Sequence, residues 1–483
     1  MRRDKLKTPI ALVAAAIAAS SFIVTPAAAA PPADTARKVD RLQDEINAMA
    51  QQLQEMKQQL LQMKQENQQL RGQQAETAKQ TEQAVTQQKE LQTQVTAATQ
   101  TAQSAQSAAT KPSPLDNVSL WGYGELYYTH PTNKQPDTRA DLARAVFGIG
   151  YQFNDTTRFN SEYEIEHAVA SADDVGESEV EQFYVDHRLN PSLSARAGLF
   201  LIPAGLLNEN HEPTNFYGVT RNFVETLIIP STWREGGVSL YGETENGLGW
   251  NAGLTTGLDL SKWDFNPETP LYTSALELQN NGAAPMQATH QEMALANAQK
   301  LSGYLALNYR GVPGLTVGGT VFGGGAVSAT PYTGSQNAYL YEGHVRYQPG
   351  RWDLSALYAR GGFTNTAQAN AQFPGASNPL PASFYGWYAQ AAYNFDVGGY
   401  RLAPFARYEK YDMGASYEGL APGFSGTLTG TTPAGTFPSP RDTVYTLGAN
   451  FYLNPNVVFK FDVQRFRTNI DFDRIDLGLG LAF

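Results

Sequence analysis

Hydrophobic and polar positions change rhythm once along this chain. Between residues 39 and 70 the apolar positions follow a three-four spacing. Val39, Ile46, Leu53, Leu60 and Asn67 hold one heptad position, and Leu42, Met49, Met56, Met63 and Leu70 hold the other. Two apolar positions in seven make the narrow seam of a coiled coil, not the wide stripe of a helix packed on a globular core. The spacing predicts a coiled coil over 31–72, with Asn67 fixing register at some cost in stability. After Leu70 the heptad decays into Gln, Thr and Ala, so 73–116 is expected to be a helical extension or a linker. Lys111-Pro112-Ser113-Pro114 marks its end, because two prolines in four residues block a helix.

From Val118 onward the period is two. Phe159, Tyr163 and Ile165 alternate with Arg158, Asn160, Glu162, Glu164 and Glu166. Tyr445, Leu447, Ala449, Phe451 and Leu453 alternate with Thr446, Gly448 and Asn450. The last run places Ile475, Leu477, Leu479, Leu481 and Phe483 on one face, and its closing aromatic resembles the terminal signal of bacterial outer-membrane barrels. About sixteen such runs fill 117–483, joined by two kinds of connection. Asn154-Asp155, Asn190-Pro191, Pro349-Gly350 and Asn454-Pro455-Asn456 are among the short ones, rich in turn formers. Interleaved with them are longer segments, roughly 203–231, 260–299, 326–336, 362–383 and 412–440. Short turns on one side and long loops on the other are the habit of an outer-membrane barrel. The expected fold is therefore all-β: a 16-stranded antiparallel outer-membrane barrel preceded by an α-helical coiled coil. An even strand count puts both barrel ends on the short-turn side, with the coiled coil in the periplasm. The charged set then faces a wet lumen: Arg158, Glu162, Glu164, Arg196, Glu342, Arg346, Arg407, Lys460 and Asp462. These phases hold only if no one-residue bulge inverts a strand.

Composition narrows the picture. A basic start, an apolar run from Ile10 to Val24 and Ala27-Ala28-Ala29-Ala30 make residues 1–30 a secretory signal peptide. The mean hydropathy of -0.38 would suit a soluble protein, but barrels escape such averages because only every second residue meets lipid. With 25 Tyr, 23 Phe and 6 Trp, the chain can build aromatic girdles. No cysteine is present, which removes disulfides, thiolate catalysis and Cys-ligated metals. Residues 1–111 hold 13 Lys and Arg against 10 Asp and Glu, so 22 of the 35 bases and 36 of the 46 acids follow residue 111. Nucleic acid, which needs a basic footprint, is not an expected partner.

One region is more specific. Gly198-Leu199-Phe200-Leu201-Ile202-Pro203-Ala204-Gly205, Asn208-Glu209-Asn210-His211-Glu212-Pro213 and Phe216-Tyr217-Gly218-Val219 closely resemble the phosphate-selective porin O/P family. The likeness continues through Arg221-Asn222, Glu225-Thr226 and Ile228-Ile229-Pro230-Ser231-Thr232-Trp233-Arg234-Glu235-Gly236-Gly237, and weaker barrel similarity covers about 112–483. The resemblance implies a sixteen-stranded trimeric porin whose third long loop, here 203–231, folds inward to narrow the channel. The preceding coiled coil resembles the DcaP-like branch. If the loop folds inward, Glu209, His211, Glu212, Arg221, Glu225, Arg234 and Glu235 are the constriction candidates, with the two arginines compensating the four glutamates. Phosphate preference is not carried over, since only Lys134, Lys262, Lys300, Lys410 and Lys460 supply lysine after residue 111.

No catalytic or cofactor site is expected. His211 lies among carboxylates but lacks a second His within helical reach, so a hydrogen-bonded loop is a better account than a metal centre. Glu177, Glu179 and Glu181, following Asp173 and Asp174, have the chemistry to bind a divalent cation near the membrane surface but read better as a solvated acidic loop. Two functions fit: passive diffusion of small hydrophilic solutes or ions across the outer membrane by a homotrimer seated in lipid, or a barrel-anchored structural protein whose coiled coil links outer membrane and cell wall.

Overall fold

Residues 1–111 and 112–483 form two separate units. The computed structural model describes residues 41–64 apart from 42 and 46, the single residues 76, 79 and 89, and residues 114–168, 176–267, 283–420, 431–432, 435–436 and 439–483.

In the first unit every described position from 41 to 64 is helical. Met49, Leu53, Met56, Leu60 and Met63 repeat at four-three spacing along this helix, and all are more than half exposed in the single chain. Val39, Leu42, Ile46, Asn67 and Leu70, the other seam positions, lie outside the described residues, as do the signal peptide and nearly all of 73–113.

The second unit is made of sixteen antiparallel strands. They are β1 (Val118–Pro131), β2 (Arg139–Asn154), β3 (Thr157–Glu166), β4 (Ser178–Asn190), β5 (Leu193–Leu201), β6 (Arg234–Glu243), β7 (Leu248–Thr256) and β8 (Leu301–Tyr309). They continue as β9 (Leu315–Ala326), β10 (Gln336–Tyr347), β11 (Trp352–Phe363), β12 (Ser383–Tyr393), β13 (Tyr400–Ser416), β14 (Arg441–Asn454), β15 (Val457–Phe466) and β16 (Arg474–Ala482). The ladder of β12 is interrupted at Asn394 and resumes over Phe395–Val397. Each strand pairs with its neighbours in sequence, and β16 returns to β1 through a register running from Tyr123↔Ala482 to Pro131↔Arg474. Phe483 exchanges two backbone hydrogen bonds with Gly122 at 2.8 and 3.0 Å. The sheet closes into a barrel and leaves no unpaired edge.

Strand phase follows the sequence alternation. Along β10, Tyr339, Tyr341 and Val345 are exposed while Ala338, Leu340, Glu342 and His344 are buried. Register shifts occur near strand ends at Gln152/Asn154, Arg188/Asn190, Ser383/Tyr385 and Tyr452/Asn454, and two further bulges border the interior site. Opposite Glu125/Leu126 the partner strand β2 carries Ala143 as an extra residue, and opposite Glu162/Tyr163 strand β4 carries Glu181. Each bulge lets the inward set change parity along its strand.

The interior differs from a uniformly wet lumen. A hydrophobic core lies inside the barrel, where Phe223, Val224, Leu227 and Ile228 of the loop between β5 and β6 pack with Leu340, Leu357, Phe384, Tyr411 and Val444 of the far wall. Loop residues Trp263, Phe265 and Met286, from the connection between β7 and β8, join the same core. Many charged lumen positions are therefore covered by the loop and not by water.

Candidate functional site

The segment 202–233 leaves β5 and returns to β6, and its base is tied shut by one asparagine. The Asn208 amide donates to the carbonyls of Ile202 and Trp233 at 2.7 and 2.8 Å, and its oxygen accepts the Trp233 N–H at 2.7 Å. Gly205 adopts φ +79°, and a Cβ there would meet a Glu225 carboxylate oxygen at 2.4 Å, so the turn needs glycine. Glu225 organises the rest. It accepts the backbone N–H groups of Leu206 and Leu207, the Asn222 amide and the Tyr388 hydroxyl at 2.6 to 2.9 Å. Burial pushes its carboxyl above the ordinary glutamate range, and these donors oppose the shift.

From there the loop crosses to the opposite wall. Val219 N–H donates to Asp462 at 2.6 Å, Phe223 N–H to Glu409 at 2.7 Å, and Gly218 N–H to Asn450 at 3.2 Å. Arg407 donates to the Tyr217 carbonyl at 3.0 Å while also holding Glu409, and the Lys460 ammonium sits 3.4 Å from the Phe216 ring centroid. Arg474 donates to the Thr220 hydroxyl at 3.1 Å. Arg407, Glu409, Lys460, Asp462 and Arg474, all on β13 to β16, thus fasten the loop.

A gap between the loop and the wall lies against β1 to β4. A polar cavity of about 160 Å³ is lined there by Glu125, Arg144, Glu164 and Glu166 of the wall, Glu177 and Glu179 beside and on β4, Arg221 and Thr232 of the loop, Arg234 of β6, and Glu292. Arg144 pairs with Glu125 at 2.8 Å and reaches Glu164 at 3.8 Å. Arg234 bridges Glu179 and Glu292, the latter at 3.0 Å. Carboxylates outnumber guanidinium groups along this gap, which favours cations over anions within it.

The sequence candidates fall into distinct places. Arg221 and Arg234 line the gap, Arg221 bonded to loop hydroxyls and Arg234 to glutamates outside the loop. Arg221 donates to the Ser231 and Thr232 hydroxyls at 2.5 and 2.9 Å, and Arg234 takes partners from β4 and from the next long loop. Glu225 and Glu235 are buried as hydrogen-bond acceptors, Glu235 from Thr256 and Gln291. Glu212 accepts from Asn215, Glu209 is exposed, and His211 is buried beside Glu181. Among the lumen candidates only Glu164 lines the gap. Arg158 and Arg196 both hold Asp186, Arg346 holds Asp353, and Glu342 meets His344. Arg407, Lys460 and Asp462 lie beneath the loop, and Glu162 accepts from Trp121 and Gln182. The solvated-loop reading fits exposed Glu177 but not Glu179 and Glu181, which belong to β4 and face inward, Glu181 fully buried. Arg144, Glu125 and Glu292 were missed altogether; the first sits at a bulge and the last in a long loop, where period-two phase gives no signal.

Comparison with known proteins follows this geometry. Residues 119–469 match the model of a family described as phosphate-selective porin O and P. An uncharacterized protein of Aquifex aeolicus (strain VF5) is 30% identical over 362 residues, which is 72% of this chain and 75% of that protein. Among solved structures, Salmonella typhi OmpF in complex with daunomycin is similar, with a TM-score of 0.48, 13% identity, and coverage of 76% of this chain and 97% of that one. The anion-selective porin of Comamonas acidovorans gives a TM-score of 0.44 and 12% identity, covering 76% and 99%.

Proposed function

The chain belongs to the phosphate-selective porin O and P family, and from that premise we propose a passive channel for small hydrophilic solutes that prefers cations. Family and barrel make it an outer-membrane channel rather than an enzyme. The preference rests on one observation: the polar gap between the crossing loop and β1 to β4 has more carboxylates than guanidinium groups. Phosphate selectivity is not part of this reading, because the lysines of the barrel are few and Lys460 is buried beneath the loop.

The working unit we propose is a homotrimer. The exposed Met49, Leu53, Met56, Leu60 and Met63 make the narrow seam that other copies would cover in a coiled coil. The short turns, and with them the helix, face the periplasm. Single-channel recording on the purified protein in planar bilayers tests the whole reading. The expected result is discrete conductance steps, with a reversal potential of cation-selective sign in a KCl gradient. An anion-selective sign removes the charge argument. Absence of steps favours the anchoring role for the barrel and its helix.

A further inference from the structure

Three side chains far apart in sequence meet beside the loop. One coordinating atom each from Glu162, Glu181 and His211 lies within 4.8 Å of the other two. They come from β3, from the bulge of β4 and from the loop, so neither periodicity nor spacing brings them together. Glu181 and His211 are almost fully buried. The ring of His211 is already oriented as in a metal ligand: its Nδ1–H donates to the Asn208 carbonyl at 2.8 Å, which leaves Nε2 to face the carboxylates. Nε2 is 3.3 Å from Glu181 Oε1, and that buried oxygen accepts no hydrogen bond. Tyr123 completes the neighbourhood, its hydroxyl 2.7 Å from Nε2 and donating to the other Glu181 oxygen at 2.9 Å, so an ion bound at Nε2 displaces the Tyr123–His211 contact. Glu162 is steadied from behind by Trp121 and Gln182 at 2.7 and 2.6 Å.

We propose that Glu162, Glu181 and His211 bind a first-row divalent cation of the Zn²⁺ type, which staples the crossing loop to β3 and β4. Bonds of about 2.0–2.1 Å in a tetrahedral site place neighbouring ligand atoms roughly 3.3–3.4 Å apart, and the His211–Glu181 pair already stands at that separation. Glu162, within 4.8 Å of the other two, must close in to reach the same centre. Two carboxylates balance the charge of the ion, and an imidazole selects transition metals over Ca²⁺ or Mg²⁺, which favour all-oxygen sites. Three protein ligands leave a fourth position for water. The ion would reach the site from the polar gap, since Arg144 lines that gap and also donates to the His211 carbonyl at 3.4 Å. Without metal, the same atoms form a buried histidine–carboxylate contact, which is the competing account of their closeness.

The test uses the full-length protein, stripped with chelator, loaded with Zn²⁺ at pH 7.5, desalted, and assayed for zinc by elemental analysis. Expected are one zinc per chain, a higher heat-denaturation midpoint, and no such shift with millimolar Mg²⁺. Glu181→Gln and His211→Gln should each weaken zinc binding by more than the about tenfold typical of losing a supporting residue. If either variant fails to fold, Glu162→Gln supplies the comparison, with zinc lost. Equal zinc in wild type and variants, or none in the wild type, overturns the site and leaves the ion pair. Neither readout depends on conduction, so the outcome is separate from that of the channel recordings.

Discussion

At the scale of single residues, charge around the gap is a matter of a few close pairs. Arg234 holds Glu179 and Glu292 from a nearly buried position. Replacing it with alanine leaves two carboxylates facing the gap with one cation fewer. A unit charge about 4 Å from a passing ion is worth about 1 kcal/mol in water-like surroundings, close to a fivefold change in preference. Arg234→Ala should therefore raise the cation-to-anion permeability ratio by about that factor, measured from reversal potentials. An unchanged ratio would mean that ions take another path. Glu225 tests fastening instead of selectivity. Glu225→Ala strands four donors inside the loop and wall, each orphaned donor costing about 1–3 kcal/mol before relaxation. The expected result is a clearly lower heat-denaturation midpoint and noisier open-channel current. Glu212→Ala, which removes one exposed bond to Asn215, should change the midpoint little, by no more than about 0.5 kcal/mol equivalent.

At the scale of elements, the sequence was most legible where one rhythm ran unbroken. β10 alternates faithfully over its twelve residues, and the long-loop motif around Asn208 and Glu225 marked the segment that crosses the barrel. Legibility failed at the bulges. Ala143 and Glu181 each add one residue to a strand, and an inward position one residue away from the expected phase follows directly. Arg144 and Glu181 stand at those two places, so the most consequential wall residues were the least readable. Burial was hidden for a different reason. Alternation reports which face a residue occupies but not what covers that face, and Arg407 and Asp462 face a loop where water was expected. The helix is a separate element with its own test. A chain lacking residues 31–111 should still insert and conduct, but its oligomer should dissociate at lower temperature on semi-native electrophoresis. Equal heat resistance would remove the seam from the assembly.

At the scale of the whole molecule, the interior is uneven: loop and far wall build a core on one side, and a polar gap lies against β1 to β4. If ions pass through that gap, the acids bordering it matter most for selectivity, because Glu409 and Asp462 beneath the loop are already matched. The loop has a mechanical consequence as well. A tube made of one sheet is stiff along its strands and soft toward flattening across its diameter, much as a thin hoop yields to a squeeze. Here a segment rooted between β5 and β6 is bonded to β12 through Tyr388, to β13 through Glu409, to β14 through Asn450 and to β15 through Asp462. It acts as a spoke: squeezing the hoop along that diameter would crush a packed core, and stretching it would break the bonds at the far rim. The cross-section is thereby held against changes in the lateral pressure of the surrounding bilayer.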